Sequence, residues 1–212
     1  MLAPDISKIN LPEPESGRTS WSRDDLLKTL GLLEPGSGQA WVVVLNLTTS
    51  TRLGETVAAR KEWYHRLGFI EVPAPYTKKK KPHVMPIIEM IRPALERHLE
   101  TVEDGEYMFD VPRPNNPKLK ISHETSKWFS RFRAKHSIPS VIHELRDTWI
   151  EAARHNETVK KDIYEIITGH SAKTASDGYG GERPSALMKA NEDICKDLLD
   201  ADLRAAILRL VA

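Results

Sequence analysis

Cysteine is nearly missing from these 212 residues: Cys195 is the only one, which excludes both an internal disulfide framework and a zinc cage built on thiolates. A reducing compartment is the expectation. Long apolar runs are missing as well. No stretch approaches the roughly 18 residues that a bilayer-spanning helix needs, and the opening MLAPDISKINLPEPESG lacks the basic-then-apolar order of a secretory signal. A soluble, cytoplasmic chain with no membrane partner follows as an expectation. Net charge is small, +1 at pH 7, so the overall field announces no polyanionic partner, and no internal repeat is present. What is there is an ordinary globular balance of 40% hydrophobic and 29% charged residues, in a chain long enough to bury a real core as one domain.

Charge is segregated along the chain. Lys78 to Lys81 form a basic run, and Lys118, Lys120, Lys127, Arg131, Arg133 and Lys135 make a second basic stretch. Between them Glu96, Glu100, Glu103, Asp104, Glu106 and Asp110 are acidic. This polarity lets a nearly neutral molecule turn one face towards nucleic acid, and it equally describes solvated helix faces.

Residues 1–20 carry three prolines and little apolar periodicity, so they read as a linker or arm. Ser22 before RDDLLKTLGLL, with acids in the first turn, predicts a capped helix ending near Gly36 to Gly38. AWVVVLNLTTSTRLGETVAA predicts a buried helix, a polar break and a second helix opening near Arg52, although WVVVL alone also fits a strand. From Trp63 to Pro86, β-branched and aromatic residues interrupted by Gly68, Pro73 and Pro75 predict a small antiparallel sheet with YTKKKKP at a hairpin tip. Helices are predicted over 86–103, 122–136, 140–155, 157–167 and 184–211.

Several short stretches carry chemistry. In SVIHELRDTWIEAARHN, His143 and Arg146 lie three apart on one helical face, beside an apolar stripe of Ile142, Leu145, Trp149 and Ala153. Imidazole and guanidinium aimed at one spot suit an oxyanion, and a surface pair is the plainer reading. Downstream, TGHSAKTASDGYG places His170 just after the glycine that ends a helix and Tyr179 nine positions later among small polar residues. A tyrosine hydroxyl becomes a nucleophile towards phosphorus when positive charge surrounds its target.

Taken in order, Arg, Lys, His-x-x-Arg, Gly-His and Tyr resemble the catalytic domain of the tyrosine recombinases, the phage integrases among them. TSTRLGE at 49–55 is similar to the first arginine motif of that family, with Arg52 as the first catalytic arginine and Glu55 as its acidic companion. TKKKKPHVMP at 77–86 resembles the hairpin that carries the catalytic lysine, Lys78, with Lys79 its nearest rival. HELR supplies His143 and Arg146, TGH supplies His170, and Tyr179 is the nucleophile. Two positions depart from the pattern: Ser50 stands where a glycine is usual, and Thr168 where a leucine is frequent.

The resemblance covers residues 21–182 and implies an α+β fold, mainly α-helical with a small antiparallel sheet, shared with type IB topoisomerases. It implies a site-specific recombinase that cleaves and rejoins DNA through a 3′-phosphotyrosyl bond, with no metal and no ATP. Candidate DNA contacts are Lys79, Lys80, Lys127, Arg131 and Arg133. Double-stranded DNA is the implied partner, with a homo-tetramer assembled on it or a monomer in isolation, in a bacterial cytoplasm or the host cell of a phage or mobile element. Core-binding and arm-binding domains do not fit in residues 1–20, so the chain reads as an excised catalytic domain or a short relative. Residues 183–212, with Leu187, Ile194, Leu198, Leu203, Ile207 and Leu210, are expected either to dock on a neighbouring protomer or to pack on their own core. Two other readings compete: DNA relaxation of the topoisomerase type, and a non-catalytic DNA-binding module on the same fold.

Overall fold

Helix α2 (Gly38–Thr49) lies at the centre of the protein in a computed structural model that describes residues 20–169 and 184–212. GQAWVVVLNLTT has no polar stripe and therefore no face to offer solvent; all its residues except Gln39 are buried. Burying each valine or leucine contributes about 1.5–3 kcal/mol, which settles the ambiguity of WVVVL in favour of a core helix. Ser37 starts it, its Oγ accepting from the Ala40 amide at 3.2 Å. Gly38 is required by packing, since a Cβ there would stand 2.1 Å from the Asp110 carbonyl oxygen.

Other elements wrap this helix. Helix α1 (Arg23–Leu32) is capped by Ser22, whose Oγ accepts from the Asp25 amide at 3.1 Å. Helix α3 (Leu53–Ala58) follows α2 after a tight turn. The sheet is antiparallel, in the order β1 (Tyr64–His65), β2 (Phe69–Val72), β3 (His83–Pro86), with Ile70 opposite Met85 and Val72 opposite His83. Then come α4 (Arg92–Glu100), α5 (His123–Lys135), α6 (Glu144–His155) and α7 (Lys161–Ile167). Helices α8 (Pro184–Leu198) and α9 (Ala201–Val211) close the chain. The described residues are thus mostly helical around one small sheet, as the sequence predicts.

Several boundaries differ from the sequence reading for local reasons. The stretch 184–211 is two helices because Asp200 leaves the helix and caps a new one, its carboxylate accepting from the Leu203 amide at 2.9 Å. Helix α7 opens at Lys161 rather than near 157 because Asn156 Oδ1 takes the amides of Thr158 and Val159, at 3.0 and 2.8 Å. Pro86 belongs to β3, so α4 begins only at Arg92, with Pro93 in its first turn.

The last two helices bury their apolar faces within this chain. Trp149 of α6, fully buried, donates from Nε1 to Asn191 Oδ1 of α8 at 2.9 Å. Leu203, Ile207 and Leu210 of α9 join the core beside α1, and the Gly36 amide donates to the Leu210 carbonyl at 2.7 Å. Among the described residues no helix is long and apolar enough to cross a membrane.

Candidate functional site

The polar break between α2 and α3 is buried, and this positions the first arginine. Thr48, Thr49, Ser50, Thr51 and Thr56 are each sealed from solvent, so their hydroxyls need internal partners. Thr48 and Thr49 donate back to the Val44 and Leu45 carbonyls at 2.9 and 2.6 Å. Thr51 Oγ1 lies 2.9 Å from both Thr49 Oγ1 and Thr56 Oγ1, and Asn46 Nδ2 reaches Thr56 Oγ1 at 3.2 Å. This hydroxyl chain fixes the turn. Within it Ser50 has φ 54°, the left-handed region that favours glycine, and its buried hydroxyl has no hydrogen-bond partner among the described residues.

Arg52 then occupies the N-cap of α3. Its Nη1 donates to Glu55 Oε1 at 3.1 Å, while its own amide approaches Glu55 Oε2 at 3.3 Å. Glu55 is buried, with 2% of its side chain exposed against 27% for Arg52. Burial pushes the Glu55 carboxyl up, but the hydrogen bond and charge of His83, together with Arg52, outweigh that and hold it at about 2, from an ordinary 4.5. It is therefore a carboxylate at neutral pH.

Arg146, one turn into α6, joins two remote segments. Its Nη1 donates to the Ser50 carbonyl and its Nη2 to the Thr168 carbonyl, two oxygens 118 positions apart in sequence (168 − 50). Ser50 precedes Arg52 by two residues, and Thr168 precedes His170 by two. The turn after α7 comes close to the first arginine: Gly169 has φ 64°, and a Cβ there would lie 3.5 Å from Arg52 Nη1 and 3.7 Å from His83 Nε2. Arg52 Nη1 thus lies beside the turn that Arg146 holds at the Thr168 carbonyl, and Glu55 and His83 are bonded to the same segments. Among the described residues two guanidinium groups stand there against the Glu55 carboxylate, a balance that suits an oxyanion.

The remaining sequence candidates are placed as follows. His143 is exposed at the N-cap of α6; the Glu55 carboxylate goes to Arg52 and His83. Lys78 is exposed on the turn between β2 and β3, five residues before His83. Buried Thr77 closes that turn, its Oγ1 donating to the Lys81 carbonyl at 2.7 Å. Lys79 is exposed on the same turn, and Lys80 Nζ donates to the Pro75 carbonyl at 3.1 Å. On α5, Lys127 pairs with Glu124 at 3.2 Å, Arg131 is exposed, and Arg133 Nη1 donates to the Pro139 and Ser140 carbonyls. His170 and Tyr179 lie outside the described residues, as do residues 1–19 of the proposed arm.

His83 is the residue that the sequence reading passed over. Its side chain is 7% exposed, with Nδ1 2.9 Å from Glu55 Oε2 and Nε2 2.7 Å from the Ile167 carbonyl oxygen. A histidine in HVMP, a strand buried at all four positions, must find polar partners; that is the signal the lysine run obscured. Among the described residues no group of three or more His, Cys, Asp or Glu is gathered to hold a metal ion.

Comparison with known proteins gives a likeness of fold. The structure superposes on a crystal structure of XerA recombinase with a TM-score of 0.51 and 18% identity, over 81% of this chain and 63% of that one. This chain thus corresponds to somewhat under two thirds of the neighbour's length. No family model matches the sequence, and no curated protein matches it either.

Proposed function

We propose that this chain is the catalytic domain of a tyrosine-type DNA recombinase, which cuts and rejoins a DNA strand through a phosphotyrosyl link. The observation that carries the reading is the bridge made by Arg146. One guanidinium binds the Ser50 and Thr168 carbonyls, each two positions in sequence from a residue assigned to the site, Arg52 and His170, and this supports the reading. The fold likeness to a recombinase agrees with it.

A phosphodiester resists attack because it is already anionic and gathers further charge on its nonbridging oxygens in the transition state. Arg52 and Arg146 would hold those oxygens, with His170 as a third donor, and each such contact typically lowers the barrier by about 3–4 kcal/mol. The Tyr179 oxygen attacks phosphorus in line, forming an O–P bond as the bond to the 5′ oxygen breaks. Lys78 gives its proton to the departing oxygen, and His143 takes the phenol proton or orients the phosphate. Since the phosphotyrosyl ester keeps the bond energy, the reverse attack by a 5′ hydroxyl rejoins DNA without ATP. Lys79, Lys127 and Arg131 would meet the phosphate backbone.

A nicked suicide DNA substrate tests this, because loss of the short 5′ fragment traps the covalent adduct. The expected result is an adduct mapped to Tyr179 and absent in Tyr179→Phe. An adduct of equal yield in Tyr179→Phe, or one mapped to Tyr164, sinks the assignment, and relaxation of supercoils without strand exchange favours the topoisomerase reading.

A further inference from the structure

The proposed chemistry leaves His83 without a task, yet its surroundings are demanding. Both of its ring nitrogens face oxygens that only accept: the Glu55 carboxylate and the Ile167 carbonyl, at 2.9 and 2.7 Å. A neutral imidazole carries one N–H, so it satisfies one contact and sets a lone pair against an oxygen at the other. The doubly protonated ring satisfies both.

We propose that His83 is a protonated tie joining the first turn of α3 to the last turn of α7, and so a positioning residue for the two-arginine site. The inference rests on the recombinase reading for its catalytic consequence and on geometry alone for the tie. Among the described residues, carboxylates on the elements packed against β3 have engagements of their own. From the α3 side the ring meets Glu55, with Arg52 beyond it. On the α6 side Arg146 holds the Thr168 carbonyl, next to the one that His83 holds. Glu165 of α7 pairs with Lys161 at 3.7 Å, Glu71 of β2 with His65 at 3.4 Å, and Glu192 of α8 accepts from the Glu89 amide at 3.0 Å. Glu55 is thus the one carboxylate at hydrogen-bonding distance from the ring among the described residues. When the ring is replaced, the Ile167 carbonyl loses that donor. The turn 167–169 then loosens, and with it the Thr168 carbonyl that helps to orient Arg146.

The test uses the full chain and two independent readouts. Ring-nitrogen magnetic resonance should show both His83 nitrogens protonated at neutral pH. At one fixed pH, hydrogen exchange at the Thr168 and Gly169 amides, which donate to Tyr164 and Ile166, should be less protected in His83→Gln than in the parent. In the suicide-substrate assay His83→Gln should slow single-turnover cleavage on the order of a hundredfold while leaving DNA affinity nearly unchanged, the signature of misplacement rather than lost binding. His83→Arg, which restores two donors on a permanent charge, should recover cleavage. A ring with only one protonated nitrogen, or amide protection that is the same in the parent and His83→Gln, overturns the tie. If the parent makes its adduct and His83→Gln makes it equally fast, the positioning role is wrong while the recombinase reading stands. If the parent makes no adduct, the recombinase reading falls and the nitrogen spectra decide the tie alone.

Discussion

Replacing Arg146 with lysine isolates the bridge on which the site depends, and the effect can be read without DNA. The guanidinium donates from two nitrogens to the Ser50 and Thr168 carbonyls, both on residues at most 1% exposed. A hydrogen bond from a charged donor is worth about 1.5–3 kcal/mol, and a buried carbonyl left without a donor costs a similar amount. Lysine keeps the charge but is a point donor on a flexible stem, so it reaches one carbonyl and not both. Arg146→Lys is therefore expected to lose about 1.5–3 kcal/mol, and Arg146→Ala roughly twice that. In a chain of 150–250 residues each kcal/mol moves Tm by about 2–4 °C, so the lysine variant should melt some 3–12 °C below the parent. Urea unfolding should show the same loss as a lower midpoint at unchanged slope. If Arg146→Lys matches the parent within about 0.5 kcal/mol, the usual scatter of surface substitutions, the guanidinium does not join these segments.

Three further perturbations follow from the same geometry. Ser50→Gly should stabilise the fold by about 1 kcal/mol in urea titrations, because it frees a left-handed residue and deletes a buried hydroxyl that has no partner among the described residues; a loss of stability would show that the serine is favoured there. Glu55→Gln should remove part of the acid sensitivity. The folded state holds this carboxyl below its ordinary 4.5, at about 2, so its ionisation stabilises the protein above pH 4.5 and that contribution, about 3 kcal/mol, is lost as the pH falls towards 2. Stability curves of parent and variant that stay parallel from pH 5 to 2 would contradict this. Gly38→Ala should cost about 1–3 kcal/mol, since its methyl meets the Asp110 backbone rather than a side chain that can swing away; an unchanged Tm would mean that α2 and the 110 region are not in contact.

The reach and the limit of sequence reasoning are visible in particular residues. Ser22 and Ser37 announce helix starts through hydrogen bonds made within three residues, and those signals are local. The sheet was legible because Gly68 and the prolines punctuate apolar runs, and the register needed no distant partner to set it. By contrast, NLTTSTR looks like a surface break and is buried, because its hydroxyls satisfy one another across α2 and α3, which only the folded arrangement supplies. Arg133 reads as a DNA contact in a basic stretch; that its guanidinium also binds the carbonyls of the following loop is a feature of the fold that the charge pattern does not record. His83 escaped notice for a related reason: its partners lie 28 positions before it and 84 after it. The departure at Ser50 was legible as a departure. That it forces a left-handed serine was not, since nothing in composition records a dihedral angle.

The most direct test of the shared anion site is a crystal structure of the full chain on a nicked DNA duplex carrying a crossover site. One phosphate should sit within about 3 Å of the guanidinium nitrogens of both Arg52 and Arg146, the spacing of charge-assisted hydrogen bonds, beside the turn at Gly169. Arg52 and Arg146 bound to different phosphates, or both turned away from DNA, would contradict the account whatever the position of Tyr179.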